Sequence, residues 1–364
     1  MKVVHILNSL ATGGAEKLIL DTVPLYNENG VSVDVIVFKN DNYAFHKALE
    51  ASSSCKIYNF NNDSVYSPSS IFKMIKILKQ YDIAHVHLFP AQYFVIMAKL
   101  LSFSKIKLVY TEHNTTNRRL ENKFFKAVDK WSYTFYNKIV AISTKIEALL
   151  RDHTGFSGNR IVVIQNGVAI QNIIDAQPLN RTEINENISA TDKVIIQVAG
   201  FREQKDQACL IRAVAQLPET CKLLLVGEGV TKVKCQELVT QLQLEHRVFF
   251  LGIRTDIPNL LKTADIVVLS SHFEGMSLSS IEGMASGKPF VASDVPGLQE
   301  MVKGHGILFE ESNDKQLANA ITKLLEDTVY YNQVAEACVK HAMKFDIHVM
   351  VNNHLELYRK IHNG

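Results

Sequence analysis

Residues 265–289 read DIVVLSSHFEGMSLSSIEGMASGKP. Asp265–Ser270 is an apolar run of strand length, Gly275 falls in a turn, and Ser279–Ala285 carries a helical pattern. Strand, short loop and helix in this order present a ligand site at the carboxyl end of a strand in an α/β sheet. The backbone N–H groups of Ser277, Leu278 and Ser279 are expected in the first helical turn, without acceptors inside the helix, and so form an anion site. Glu274 and Glu282 stand eight positions apart. Glu282 projects from the helix near its start, where a carboxylate accepts from ribose hydroxyls. Glu274 faces whatever is attached beyond the phosphates. The arrangement suits a sugar nucleotide, whereas the same two glutamates without this context would read as solvated charges.

Outward from this unit the chain repeats strand then helix. Val3–Leu7, Val31–Phe38, Ile83–His87, Ile106–Tyr110, Lys138–Ile142 and Ile161–Ile164 read as strands. Helical patterns lie between them, the longest over Asn117–Tyr136. After the turn signal Gln165–Val168 and a poorly patterned stretch to Asp192, alternation restarts with Val194–Ala199, Lys222–Val226, Val248–Leu251, Ile266–Leu269 and Pro289–Ala292. Short apolar strands between helices predict parallel sheets covered on both faces. The expected fold class is α/β, with two Rossmann-like parallel-sheet domains facing a cleft. The expected division is residues 1–168, residues 169–345 and a terminal amphipathic helix over 346–364.

Composition bounds the function. The 364 residues include 47% hydrophobic ones, yet no run approaches the ~20 apolar residues of a membrane span. A cytoplasmic location is expected, at the inner face of the cell membrane if the protein meets lipid. The five cysteines show no metal-ligand spacing, and none of the thirteen histidines forms H-E-x-x-H. His85 reads as a core histidine, and His87 as either core or a strand-end group that positions an acceptor. Residues 1–170 carry a net +7 and the remainder −5, so the first half suits an anionic membrane, a diphosphate-bearing acceptor or a plain solvated surface. The segment Arg118–Lys138 mixes bases with Phe124, Phe125 and Trp131; one side should pack, with the Arg118–Lys126 end toward lipid headgroups. No nucleic-acid motif occurs. A dinucleotide fingerprint and a P-loop are both missing.

Further strand-end residues are candidates for the same site. In AGFREQKD, residues 199–206, Arg202 and Lys205 can meet a diphosphate. Gly13 and Gly14 open the first helix and let backbone approach a ligand. His113, in TEHN, stands just past a strand.

Taken together, G-G-A-E at 13–16, T-E-H at 111–113, N-G-V at 166–168, Q-K-D at 204–206, V-G-E-G at 226–229 and the E-x7-E pair at 274 and 282 resemble the family 4-type retaining glycosyltransferases of bacterial polysaccharide and glycolipid assembly. The family's E-A-M reads Glu282-Gly283-Met284 here, which adds a helix-weakening glycine. Its usual arginine five residues before the lysine is Gly200, with Arg202 three before instead. The resemblance implies the GT-B fold, with the terminal helix crossing back to the first domain. It implies His113, Glu274, Lys205 and Arg202 at the reacting centre. Gly14, Gly227, Ile253, Arg254, Gly275, Met276, Ser277, Leu278, Ser279 and Glu282 then help to hold the donor. It also implies no cofactor and no metal; no D-x-D occurs in the chain. The expected activity is retaining transfer of a hexose or N-acetylhexosamine from a UDP- or GDP-sugar to a lipid-linked glycan, in capsule or O-antigen assembly. A nucleotide-sugar epimerase on the same fold, or a non-catalytic sugar-nucleotide-binding subunit, are the alternatives.

Overall fold

The computed structural model describes Met1–His113 and Asn122–Gly364. The chain forms two compact units, Met1–Gly167 with Ile347–Gly364, and Val168–Asp346.

The first unit contains β1 (Lys2–Leu7), β2 (Ser32–Val37), β3 (Ile57–Asn59), β4 (Ile83–His87), β5 (Lys107–Glu112), β6 (Lys138–Ala141) and β7 (Ile161–Val163). They form one parallel sheet in the order β3-β2-β1-β4-β5-β6-β7. Val3, Val4, Ile6 and Leu7 are all fully buried, so consecutive residues of β1 are covered on both faces. That burial explains the near-continuous apolar run in the sequence. Strand order reverses between β1 and β4, the place where an open α/β sheet leaves a crevice at its carboxyl ends. His5 on β1 stands in register with His85 on β4, and His87 with Thr111 on β5.

The helix Ile347–Asn363 closes the first unit, although the whole second unit lies between it and β7 in sequence. Its buried positions, Ile347, Met350, Val351, His354, Leu355, Leu357, Tyr358 and Ile361, recur at helical spacing and form one stripe. The Tyr358 hydroxyl reaches His85 on β4 at 2.6 Å.

The second unit holds β8 (Lys193–Val198), β9 (Cys221–Val226), β10 (Val248–Gly252), β11 (Ile266–Leu269), β12 (Phe290–Ser293) and β13 (Ile307–Phe309). Its sheet is parallel, ordered β10-β9-β8-β11-β12-β13, with the reversal between β8 and β11.

Some elements differ from the sequence expectation. β3 and β13, three residues each, are too short to stand out as periodic runs. The long helix expected over Asn117–Tyr136 spans Lys123–Tyr133. Asn122 has extended backbone and accepts from the N–H of Phe124 and of Phe125, which is an N-cap and not a helix interior. Arg118, and the part of the basic segment up to Glu121, lies outside the described residues. Among the described residues no helix is long and apolar enough to cross a membrane.

Candidate active site

Two strand-end loops meet at the reversal point of the second sheet. After β8 the chain turns through Arg202–Lys205, where the Lys205 N–H donates to the Arg202 carbonyl at 2.8 Å. After β11 it runs through Ser270 and Ser271. An isolated antiparallel bridge joins Lys205 to Ser271, and the His272 N–H donates to the Gln204 carbonyl at 2.9 Å. Below the bridge the buried Ser270 hydroxyl lies 2.9 Å from Gln197 Oε1 and 2.7 Å from the Asp206 carbonyl. These contacts satisfy the backbone of both loops where the sheet ladder stops.

The bridge places Lys205 against Glu274. The ammonium donates to Glu274 Oε1, which also accepts from Ser271 Oγ at 2.7 Å. Gln204 Nε2 reaches the other carboxylate oxygen at 3.4 Å. Glu274 is only 5% exposed, so these partners hold it in one orientation. Its backbone is held as well. The Glu274 N–H donates to the Pro296 carbonyl at 3.2 Å, and Gly297 packs beneath with φ of 90°. A Cβ on Gly297 would lie 2.3 Å from the Glu274 carbonyl oxygen, so only glycine fits. Ser271 and Gly297 were not singled out by sequence, and Gln204 only as part of the Q-K-D motif. Ser271 lies three residues before the motif glutamate, but nothing local ties Gly297 to a residue 23 positions away.

The helix after Glu274 spans Leu278–Ala285. Ser277 is its N-cap, with φ −72° and ψ 123°, and not part of its first turn as the sequence reading had it. No side chain caps this end. Leu278 and Ser279 open the first turn, and Glu282 is the fifth helical residue and half-buried. Met276 is buried and Gly275 links it to Glu274. An uncapped helix start beside an ammonium is a place where an anion is stabilised.

The neighbouring loops complete the strand-end surface. Gly227, with φ of 142°, lies so close to the β8 loop that a Cβ would meet the Ala199 carbonyl oxygen at 2.3 Å. Its N–H donates to the Gly252 carbonyl at 2.8 Å, linking the ends of β9 and β10. Ile253 is half exposed, and Arg254 is turned onto Asp256 in a two-point pair, with Nε at 2.8 Å from Oδ1. Arg202 is exposed, its Nε 3.7 Å from the Cβ position of Gly200, and its guanidinium makes no hydrogen bond or ion pair with the side chain of Lys205 or Glu274. The structure therefore brings together Lys205, Glu274 and the Ser277–Ser279 helix start, while the Arg202 and Arg254 guanidinium groups are not bonded to that pair.

Gly14 and His113 belong to the first unit. Gly14 opens the helix Gly14–Glu28 and Gly13 is its N-cap. Glu16 folds back over Gly13, where a Cβ would lie 2.3 Å from Oε2, so that glycine makes room for its own helix's carboxylate. His113 follows β5 and pairs with His87 at 3.0 Å. Burial, and then the neighbouring His354, lower its pKa to about 4, so the imidazole is neutral at physiological pH.

Two doubly wound parallel sheets in one chain, with the last helix returned to the first, constitute the architecture of the GT-B glycosyltransferases. Residues 12–172 match the family described as Glycosyltransferase Family 4, and residues 180–344 that described as Glycosyl transferases group 1. The chain is 26% identical over 359 residues, 93% of its length and 94% of the relative's, to the N-acetylgalactosamine-N,N'-diacetylbacillosaminyl-diphospho-undecaprenol 4-alpha-N-acetylgalactosaminyltransferase of Campylobacter jejuni. It is 27% identical to the Escherichia coli UDP-Gal:alpha-D-GlcNAc-diphosphoundecaprenol alpha-1,3-galactosyltransferase, over 71% of each chain. Among solved structures, HepE of Anabaena in complex with UDP-glucose superposes with a TM-score of 0.85 at 25% identity, covering 99% of this chain and 100% of that one. The chain belongs to the family 4-type glycosyltransferases.

Proposed function

We propose that the protein transfers a hexose or N-acetylhexosamine from a UDP-sugar to a hydroxyl of an undecaprenyl-diphosphate-linked glycan, with retention of configuration and without a metal ion. The observation that carries this reading is the contact between Lys205 and Glu274 at the β8/β11 reversal, beside the uncapped helix at Ser277. The names of the Campylobacter and E. coli relatives support the lipid diphosphate acceptor, and UDP-glucose in HepE supports the donor.

In this scheme Lys205 and the N–H groups of Leu278 and Ser279 take the diphosphate. Glu282 takes the ribose, and Glu274 accepts from hydroxyls of the transferred sugar. The bond from C1 to the β-phosphate oxygen breaks while the acceptor oxygen approaches C1 from the same face. The acceptor's proton passes to the departing phosphate oxygen. Negative charge grows on UDP during this step, and an ammonium and a helix start already in place favour the transition state over the ground state. Fixed positive groups thus do what a divalent ion does in other transferases.

The helix Lys123–Tyr133 supports peripheral contact with an anionic cytoplasmic membrane surface. It exposes Phe124, Phe125 and Trp131 together with Lys123, Lys126 and Lys130. Such a face suits a lipid headgroup region.

The test is calorimetric titration with UDP- and GDP-sugars, followed by transfer to a synthetic polyprenyl-diphosphate glycan with and without EDTA. The expected result is binding of one UDP-sugar and transfer that survives EDTA. A donor turned over with no acceptor present, or binding with no UDP release to any acceptor, would overturn the assignment.

A further inference from the structure

The first unit buries an unusual group of imidazoles at its own reversal point. His5, His85, His87, His113 and His354 line one small cavity of about 20 Å³, room for roughly one water. They come from β1, β4, the end of β5 and the helix Ile347–Asn363. Among the described residues the other lining groups are apolar or neutral, with Thr22, Tyr26, Thr111 and Asn166 the polar ones.

Five hydrogen bonds join four of these rings, a phenol and a hydroxyl into one chain. His113 Nε2 meets His87 Nδ1 at 3.0 Å, and His87 Nε2 meets His5 Nδ1 at 3.0 Å. His5 Nε2 meets the Tyr358 hydroxyl at 3.4 Å, the longest link. Tyr358 meets His85 Nδ1 at 2.6 Å, and His85 Nε2 meets Thr111 Oγ1 at 2.6 Å. Every ring nitrogen of His5, His85 and His87 is thereby engaged. These three also stand close enough to one another to suggest an ion cage. The full engagement of their nitrogens favours a proton-ordered chain instead. His354 stays outside the chain, its Nδ1 directed at the Met350 carbonyl at 3.0 Å.

Proton counting makes the chain directional. Burial keeps these imidazoles neutral at physiological pH, so each carries one N–H. Each link needs one proton, and each group has one to give. A donor–acceptor mismatch between two imidazoles would leave two protons, or none, between buried partners, with a polar atom unsatisfied. The links His113–His87, His87–His5 and His5–Tyr358 therefore point the same way, because each neutral imidazole between them has one donor and one acceptor nitrogen. The Tyr358 phenol selects the direction, because its single proton goes to a nearer partner, His85 at 2.6 Å or Tyr26, and not along the 3.4 Å contact to His5. With the phenol proton directed away from His5, His5 donates to Tyr358, His87 donates to His5, and His113 donates to His87.

We propose that Tyr358, acting through His5 and His87, orders the tautomer of His113 so that its Nδ1 is left bare as an acceptor for a substrate hydroxyl. The terminal helix is then a positioning element for the site, not only a clasp on the first unit. The functional part of this inference rests on the transferase reading above; the tautomer itself does not.

The experiment is nitrogen NMR of protein labelled with 15N-histidine, comparing wild type with Tyr358→Phe, alongside donor kinetics. Wild type should show His113 protonated at Nε2 and bare at Nδ1. Tyr358→Phe, which keeps the ring in place, should show both tautomers of His113. It should also lose about tenfold in kcat with UDP affinity unchanged, since the UDP-binding residues belong to the other unit. A second pair guards against misfolding. His87→Asn retains an acceptor at the Nδ1 position and should keep more activity than His87→Leu, whose volume is similar. An Nδ1-protonated His113 in wild type, or identical tautomers in Tyr358→Phe, would overturn the proposal. Because the spectra need no turnover, an inactive preparation would count against the transferase reading and not against the proton order.

Discussion

Lys205 donates to Glu274 from 69 positions away, through a loop-to-loop bridge at the reversal point of the second sheet. Both side chains are largely buried, at 13% and 6% exposure, so each is the other's principal counter-charge before any ligand arrives. A diphosphate entering beside the Ser277 helix start would compete with Glu274 for the ammonium. The released carboxylate would then be free to accept from sugar hydroxyls.

That exchange separates the two residues experimentally. Lys205→Met should weaken UDP binding about 10- to 100-fold, the worth of a charge-assisted hydrogen bond. Glu274→Gln should leave UDP affinity unchanged or raise it, because the lysine loses its internal competitor, while sugar transfer falls by about 100-fold or more. Titration calorimetry with UDP and single-turnover transfer measure the two effects. If both substitutions weakened UDP equally, the pair would be a structural ion pair and nothing else.

Gly283 puts a helix-weakening residue into the helix that carries Glu282, and the structure gives the reason. A Cβ there would lie 2.6 Å from Cδ2 of Phe290 and 2.9 Å from Cγ1 of Val267, both on the strands beneath the helix. Gly283→Ala should therefore destabilise the second unit by about 1–3 kcal/mol through overpacking, despite the gain in helix propensity. A double-mutant cycle with Phe290→Leu should show coupling of at least about 1 kcal/mol. Additive effects in thermal melts would remove the contact as the cause.

The buried histidine cluster makes the first unit acid-sensitive. Burial lowers the pKa of His5 from 6.5 to about 3 and that of His354 to about 4. The unfolded chain takes up these protons from pH 6.5 downward, whereas the folded chain resists until its lower values are reached. Stability is thus full above pH 6.5 and falls as pH drops toward 4. By pH 5 each of these imidazoles accounts for a loss of about 2 kcal/mol. Urea melts between pH 7.5 and 5, followed by fluorescence of the single tryptophan, Trp131 in the first unit, should show this slope. A flat profile would mean that the rings are solvated and titrate normally.

Arg247 ties the end of one helix to the sheet of the second unit. It is 2% exposed, and its guanidinium donates to the carbonyls of Val214 at 2.8 Å, Pro218 at 2.9 Å, Leu217 at 3.0 Å and Cys221 at 3.2 Å. Arg247→Leu should lower stability by about 3 kcal/mol or more, since several buried acceptors lose their donor at once. Arg247→Lys should recover only part of this, because a point charge cannot serve the spread of acceptors that a planar fork does. Below the melting transition UDP affinity should be unchanged, because these acceptors lie away from the Lys205–Glu274 pair.

Much of the fold was legible because the signals are local. The apolar runs of β1, β4, β8 and β11 are short, covered on both faces and separated by amphipathic helices, and that pattern alone implies parallel sheets. The loop glutamate, the Q-K-D turn and the helix after Glu274 were visible for the same reason. β3 and β13 were not visible, since three residues carry too little periodicity and owe their conformation to the strand beside them. Placing Ser277 in the first turn failed because the boundary depends on backbone angles set by the preceding loop, not on side-chain pattern.

The sequence by itself determined the doubly wound class, the strand ends at which polar residues collect and the presence of Lys205, Glu274 and His113 at them, because spacing along a chain dictates which face or end a residue occupies. Only the tertiary structure decided that Lys205 holds Glu274, that Gly297 supports that glutamate's backbone, and that Tyr358 closes a proton chain reaching His113. Those relationships join residues tens to hundreds of positions apart, and their energies depend on burial and on distances of about 3 Å, which no one-dimensional pattern encodes.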